Sequence, residues 1–140
     1  MIFLSRKEHF NAAHKLYNPS WTEEKNKEVF GPCANPNGHG HNYELIVTLC
    51  GTPDPDTGFI FDLKKLSTLI REKVIEKVDH KNLNMDVDFM QGKMASTEVL
   101  AYEIFNILKK EIELQCSNAE LYKITLYETP RNFVEVIREK

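Results

Sequence analysis

The chain has 140 residues, of which 41% are hydrophobic and 28% charged, a composition typical of one globular domain. The formal net charge is −3 and the lysines form no basic stripe, which excludes a nucleic-acid-binding protein. No apolar run approaches the roughly 20 residues that cross a bilayer, and three cysteines do not make a disulfide framework. We therefore expect a single domain over residues 1–140 of a reduced, cytoplasmic protein with no nucleic-acid or membrane partner.

Two strands are predicted in the first third of the chain. Residues 1–14 mix alternation with β-forming residues and predict a strand ending near His14. Residues 15–31 are polar and predict a loop with about one helical turn. Residues 41–50 alternate strictly and predict a second strand, which the turn-rich residues 51–58 end.

Two helices follow. Asp62 is a plausible N-cap of the first helix, and Ser96 or Thr97 begins the second, with Glu98 in its first turn. Apolar residues recur at helical spacing in both segments: Leu63, Leu66, Leu69, Ile70, Val74 and Val78 in the first, and Leu100, Ile104, Leu108 and Ile112 in the second.

Two more strands are predicted at 121–128 and 132–138, around a turn at Pro130. The element order is β-β-α-α-β-β, which predicts an α+β fold with a four-stranded antiparallel sheet and two helices on one face. The other face then keeps Val, Ile, Tyr and Leu side chains that need cover, and a homo-oligomer is the simplest way to supply it.

A metal site is predicted from three of the five histidines. His39 and His41 are two residues apart, so on a strand they point to the same face. His14 ends the first strand beside the start of the second and is the third candidate, which leaves an open position on zinc. His9 has the opposite strand parity and is not expected to join. The alternative is that these are surface histidines that bind nothing.

Cys33 lies in a Gly/Pro/Asn-rich loop six residues before His39. Three interpretations remain open from the residues alone. Its thiol is a fourth zinc ligand that closes the site, a thiolate acting as a general base beside an open site, or an inert loop cysteine.

Asp79 and His80 are a second candidate pair. A carboxylate that orients an imidazole supports proton relay, although neighbours in sequence usually point apart. The alternative is a protonated histidine at a helix C-terminus.

Glu128 ends an apolar strand, on the face that alternation gives to Tyr122, Ile124 and Leu126. A carboxylate on such a face needs a partner, and it can accept two parallel N–H bonds from a guanidine-like ring edge. The alternative is a strand-end glutamate in water.

With these residues assembled, the chain resembles the 6-pyruvoyl-tetrahydropterin synthase family over nearly its whole length. The segment FGPCANPNGHGHNY is the most specific. The matching segments are FNAAHKLYN (10–18), FGPCANPNGHGHNY (30–43), DPDTGFIFDL (54–63), VDHKNLNMDV (78–87), ASTEVLA (95–101) and LYETPRN (126–132).

The resemblance implies the tunnelling fold. Three subunits close a barrel and two such trimers stack into a homo-hexamer, with active sites where subunits meet. It implies one Zn²⁺ per subunit and, with the triphosphate, Mg²⁺.

The resemblance also implies a role for each matching residue. His14, His39 and His41 match the zinc ligands. Cys33 matches the catalytic cysteine, and Asp79 and His80 match its proton-relay partners, contributed by a neighbouring subunit. Glu128 matches the carboxylate that holds the pterin ring. Ser96, Thr97 and Glu98 match polar contacts near the pterin.

The implied reaction converts 7,8-dihydroneopterin triphosphate to 6-pyruvoyl-tetrahydropterin with loss of triphosphate, as a carbon–oxygen lyase. One alternative is the 6-carboxy-tetrahydropterin synthase of queuosine biosynthesis, in which three residues separate the cysteine from the HGH, against five here. The other is a non-catalytic oligomer that binds zinc or pterin.

Overall fold

Residues 1–140 are described by a computed structural model. A five-stranded sheet carries helices on one face, and its strand order is β3-β1-β2-β4-β5. The strands are β1 (Ile2–His14), β2 (His39–Gly51), β3 (Lys81–Asn82), β4 (Ala119–Tyr127) and β5 (Phe133–Ile137), and the helices are α1 (Glu23–Phe30), α2 (Leu63–Ile70), α3 (Glu76–Val78) and α4 (Thr97–Gln115). The predicted α+β class is confirmed.

Four long strands pair antiparallel, as predicted, but the sheet has a fifth member. β1 and β2 pair along their whole length, from Ile2 opposite Gly51 to His14 opposite His39. The two-residue β3 lies parallel to β1 at the other edge. The prediction of four strands is therefore wrong by one strand. The sequence gives no signal for β3, because the polar run after α3 has no strand-like alternation and is extended only through its pairing with β1.

The core lies between the sheet and the two predicted helices. β1 and β2 bury alternate residues, and α2 and α4 bury a stripe against them. Asp62 caps α2 by accepting the amide of Lys64 at 2.8 Å, as predicted. The fully buried side chains include Phe10, Tyr43, Leu45, Leu49, Leu66, Ile70, Leu100, Ile104, Leu108 and Ile112.

The outer face of the sheet is more polar than predicted. Its middle carries an ion pair between Lys7 and Glu44 at 3.0 Å and a hydrogen bond between the hydroxyls of Ser5 and Thr48 at 2.9 Å. Ile46, opposite Lys7, is apolar, and further apolar residues lie toward the ends, such as Phe3, whose ring centroid lies 4.8 Å from that of Tyr122. Strand alternation alone overestimated the apolar surface that needs cover.

A bulge in the β2–β4 ladder corrects the predicted face of Tyr122. The register shifts between Thr48 and Leu49, so that Leu121 faces Leu49 while Lys123 faces Thr48. The extra residue is Tyr122, which contacts Phe3 on the outer face instead of sharing the face of Ile124.

The chain between β1 and β2 contains more structure than one turn. Thr22 caps the eight-residue α1 by accepting the amide of Lys25, and a 3₁₀ turn over Gly31–Ala34 follows. The side chain of Asn26 is buried and accepts the amide of Asn18 at 2.7 Å.

None of the helices combines the length and the hydrophobicity that a bilayer-spanning segment needs.

Candidate active site

Three histidine side chains meet at one end of the β1–β2 pair. His14 lies opposite His39 in the ladder, and His41 follows two residues further along β2. The ring centroids are 4.7 Å (His14–His39), 5.0 Å (His14–His41) and 4.7 Å (His39–His41) apart. The i and i+2 spacing therefore places both β2 imidazoles on the inner face beside His14, as predicted.

The three rings have the geometry of a metal site. One nitrogen of each ring lies within 4.8 Å of the other two. The Nε2 atoms of His14 and His39 are 3.1 Å apart. Two nitrogens bound to one tetrahedral zinc at about 2.05 Å would lie about 3.3 Å apart, so this pair needs little movement to share an ion.

The backbone fixes the tautomer of His14. Its Nδ1–H donates to the carbonyl oxygen of Ala95 at 2.7 Å, and the ring is 1% exposed. A carbonyl can only accept, so the proton is on Nδ1 and the lone pair of Nε2 faces His39. Such a second hydrogen bond is typical of histidines that bind metals.

Burial favours the neutral form of the His14 and His41 rings. Burial is the largest cause that lowers the pKa of both His14 and His41 below the ordinary value, and for His41 the charge of Glu128 opposes it. The Nε2 of His41 is also buried without a hydrogen-bond partner. A neutral ring with an unpartnered inward nitrogen is the form that a metal ion needs.

Glu128 borders the histidine triad. One carboxylate oxygen, Oε2, accepts a short hydrogen bond from the hydroxyl of Thr97, the buried first residue of α4. The other, Oε1, lies 3.8 Å from the Nε2 of His41. The Glu128 side chain is 26% exposed, so it can still meet a ligand. It is not a free strand-end carboxylate in water.

The neighbours of Thr97 take different positions. Ser96 is the N-cap of α4, and its hydroxyl accepts the amide of Val99 at 3.3 Å. Glu98 is exposed in the first turn and forms no hydrogen bond or ion pair through its side chain. Of these three residues, only Thr97 contacts Glu128 directly.

Cys33 lies in the 3₁₀ turn and is half-buried. Its carbonyl oxygen accepts the amide of Leu16 at 2.7 Å, which ties this loop to the chain two residues after His14. Its sulfur does not belong to the group of clustered ligand atoms. The interpretation of Cys33 as a fourth ligand that closes the site is therefore wrong for this arrangement.

Asp79 and His80 contact each other, contrary to the expectation for sequence neighbours. The His80 ring nitrogen Nδ1 lies 3.0 Å from Asp79 Oδ2, while Asp79 Oδ1 accepts the amide of Asn11 at 2.9 Å. The Asn11 amide is the largest cause that lowers the pKa of Asp79. His80 adopts φ +59°, an uncommon value outside glycine.

The Asp79–His80 pair lies at the same end of the sheet as the triad, on a side open to solvent. The His80 side chain is 76% exposed. It borders an open cleft of about 520 Å³ that His41 also lines. The structure thus brings the triad, Glu128 and Thr97 together, and leaves the His80 ring largely in solvent.

Sequence reasoning missed three contributors to this site. The carbonyl of Ala95 has no sequence signal. Gly38, at φ +66°, passes so close to His14 that a Cβ would lie 2.5 Å from the carbonyl oxygen of His14. Strand alternation places Tyr43 on the face of His41, but it gives no sign that the hydroxyl of Tyr43 is buried without a partner.

Known proteins similar to this chain are found by sequence and by structure. The model of the family "6-pyruvoyl tetrahydropterin synthase" matches residues 3–139. The 6-pyruvoyl tetrahydrobiopterin synthase of Pongo abelii is 41% identical over 131 residues, covering 94% of this chain and 88% of that protein. The structure of the Caenorhabditis elegans 6-pyruvoyl tetrahydropterin synthase superposes with a TM-score of 0.88 at 38% identity, over 99% of this chain and 96% of that one.

A weaker match bears on the related activity. The 6-carboxy-5,6,7,8-tetrahydropterin synthase of Bacillus subtilis is 26% identical over 133 residues, covering 93% of this chain and 81% of that protein. The chain is therefore more similar to the pyruvoyl-type proteins than to this carboxy-type one.

Proposed function

The chain belongs to the 6-pyruvoyl tetrahydropterin synthase family, and from this premise we propose that it converts 7,8-dihydroneopterin triphosphate to 6-pyruvoyl-tetrahydropterin with release of triphosphate. The observation that carries the proposal is the arrangement of three convergent histidines beside a partly exposed glutamate. The reaction is a carbon–oxygen elimination followed by internal redox, in which the side chain is oxidised and the ring reduced without an external oxidant.

His14, His39 and His41 would hold one zinc ion with a fourth position open, since no carboxylate or thiol joins their cluster. The ion supplies Lewis-acid chemistry when bound. Mg²⁺ is proposed as a companion of the triphosphate.

Glu128 is the proposed anchor of the pterin ring. A carboxylate accepts two parallel N–H bonds from the 2-amino and N3 edge of the pterin ring. These bonds fix the ring, and the substituent that the ring carries is thereby positioned at the metal centre. Thr97 holds one of the carboxylate oxygens, and Ser96 fixes the start of the helix that carries Thr97. Glu98 is proposed as a further polar contact because it is exposed in the same turn.

The proton transfers are assigned to the thiol and to the Asp79–His80 pair. Cys33 as thiolate takes a proton from a side-chain carbon, and His80, oriented by Asp79, returns a proton to another carbon. The exposed His80 ring is free to exchange protons with solvent or substrate. This exposure supports its use in the active site of a neighbouring subunit.

We further propose a single domain over residues 1–140 and a cytoplasmic, homo-hexameric protein. One hydrophobic cluster draws on both helices and on the three central strands, which supports the single domain. The three cysteines are free thiols, the state that a reducing compartment preserves.

The test is a product assay on the zinc-loaded protein. We expect triphosphate release together with the diketo pterin, and a Cys33→Ala variant that keeps its zinc but loses turnover by a factor of at least about 100. Acetaldehyde as the product would instead assign the carboxy-type activity. Zinc and pterin binding without turnover would make the protein a non-catalytic binder.

The metal assignment has its own matched control. His39→Ala is expected to lose stoichiometric zinc because it removes one of three ligands. His9→Ala removes an exposed histidine of β1 with the opposite parity and is expected to keep one zinc per chain. Full zinc content in His39→Ala, measured by elemental analysis, would show that the site is elsewhere.

A further inference from the structure

Two buried side-chain polar atoms of this protein lack a hydrogen-bond partner. One is the Nε2 of His41, which belongs to the triad, and the other is the hydroxyl of Tyr43. Tyr43 is 1% exposed, and its ring stacks on that of Phe10 with centroids 4.8 Å apart. A phenylalanine would make the same stack without leaving a polar group unpaired, so packing does not explain the hydroxyl.

Tyr43 lies next to His41 on β2 and faces the end of β4 that precedes Glu128. It follows His41 on the same face of β2, and the two ring centroids are 5.8 Å apart. The β2–β4 register pairs Glu44 with Tyr127 and Leu45 with Leu126. Continued by one residue, this register places Tyr43 directly opposite Glu128, at the Cα separation of about 5 Å that cross-strand neighbours have.

The carboxylate of Glu128 has one poorly satisfied oxygen. Oε2 accepts from Thr97, whereas Oε1 accepts no hydrogen bond, and the Nε2 of His41 lies 3.8 Å from it, beyond hydrogen-bond distance. When His41 binds a metal through Nε2, that atom carries no proton to donate. Oε1 is then free to accept from another donor, and a phenol O–H is a donor that this face of the sheet offers.

We propose that Tyr43 is a positioning residue of the substrate site, whose hydroxyl donates a hydrogen bond to Oε1 of Glu128 once His41 is occupied. This inference rests on the proposed function. A carboxylate has about four lone-pair sites. Thr97 and Tyr43 together occupy one lone-pair site on each carboxylate oxygen. Their two hydrogen bonds fix the orientation of the carboxylate plane and leave two parallel lone-pair sites for the N–H groups of a pterin edge.

The experiment compares zinc-loaded Tyr43→Phe with wild type in binding neopterin, a fluorescent pterin that lacks the triphosphate. We expect Tyr43→Phe to bind neopterin about tenfold more weakly, the effect of one hydrogen bond to a charged group. Its zinc content should be unchanged, and in the chelator-treated protein its Tm should not fall, because the hydroxyl has no partner to lose in the metal-free state. In turnover, KM should rise while kcat changes less than about twofold.

Tyr127→Phe is the matched control. It removes a phenol hydroxyl next to Glu128 in sequence, but from a ring that packs on Phe133 on the outer face, with centroids 4.6 Å apart. Its neopterin affinity should equal that of wild type.

The outcomes separate the two proposals. If wild type binds neopterin, Glu128→Gln does not, and Tyr43→Phe binds like wild type, this inference is wrong and the proposed function stands. If Tyr43→Phe loses zinc, or if its metal-free form unfolds at a lower temperature than metal-free wild type, the hydroxyl has a structural role and the inference is also wrong. If wild type itself fails to bind neopterin, the proposed function fails and takes this inference with it.

Discussion

Gly38 shows how a residue without a side chain shapes a site made of side chains. It adopts φ +66° immediately before His39, and a Cβ there would lie 2.5 Å from the carbonyl oxygen of His14. The backbone can bring His39 to the end of β1 only because this position carries no Cβ.

Gly38→Ala is therefore expected to lower both the free energy of unfolding and the zinc affinity. Positive φ alone costs an alanine about 1 kcal/mol, and the steric clash adds about 1–3 kcal/mol. Gly58→Ala is the control, since Gly58 has φ +75° but nothing within 4 Å of its Cβ position. Denaturant unfolding and a zinc titration should show a larger loss for Gly38→Ala; equal losses would mean that the contact with His14 is unimportant.

The buried histidines make the metal-free protein sensitive to acid. Burial lowers the pKa of His14 and His41 below their ordinary value of 6.5. Between the folded and unfolded pKa values the unfolded chain binds more protons, so falling pH favours unfolding. The stabilising contribution of these two neutral histidines is fully present above pH 6.5. It is lost as the pH falls from 6.5 through their lowered pKa values in the folded state.

We expect the free energy of unfolding of the chelator-treated protein to fall between pH 7.5 and pH 5, as measured by denaturant titration at each pH. In His41→Gln the fall should be smaller, because one of the two proton-binding groups is gone. In His9→Ala, which loses an exposed histidine, the fall should match wild type. A pH-independent wild type would contradict the assignment of neutral buried rings.

At the scale of elements, the first predicted helix contains a π-helical turn. Residues Leu66, Ile70, Val74 and Val78 are all fully buried at a strict spacing of four. In an α-helix, each step of four residues rotates the side-chain direction about 40° beyond one full turn. After three such steps the later side chains would point away from the core. The wider turn over Arg71–Ile75 compensates and keeps all four residues facing the sheet.

The start of the same helix depends on one carboxylate. Asp62 Oδ1 accepts the amides of Lys64 at 2.8 Å and Lys65 at 3.4 Å. Asp62→Ala is expected to cost about 1 kcal/mol of stability, the usual value of an N-cap. Asp56→Ala is the control, because the Asp56 side chain accepts no hydrogen bond. Thermal unfolding should separate the two variants, and equal Tm values would exclude a capping role.

At the scale of the whole molecule, the outer sheet face and the exposed His80 both bear on assembly. Polar and charged pairs occupy the middle of this face, which suits the lining of a water-filled barrel better than a dry interface. The proposed hexamer predicts a native mass six times the 16.3 kDa of one chain. Native mass spectrometry of the zinc-loaded protein measures this directly. A predominant single-chain mass would contradict both the hexamer and a His80 shared between subunits.

The sequence by itself determined the fold class, the positions of the main elements and the histidine triad. These depend on local regularities: strand alternation places His39 and His41 on one face, helical spacing marks α2 and α4, and Asp62 is a recognisable cap. The antiparallel pairing of β1 and β2 was enough to bring His14 beside His39. The resemblance to a known family supplied the proposed roles of Cys33, Asp79, His80 and Glu128.

Only the tertiary structure decided which groups complete the site. The contact of Thr97 with Glu128 joins residues that are 31 positions apart, and the carbonyl of Ala95 meets His14 across 81 positions. The bulge at Tyr122, the parallel β3 and the unpaired hydroxyl of Tyr43 likewise depend on how elements dock. Periodicity reports which face a side chain takes, but hydrogen-bond partners across a core are set by packing between elements, and no local pattern encodes them.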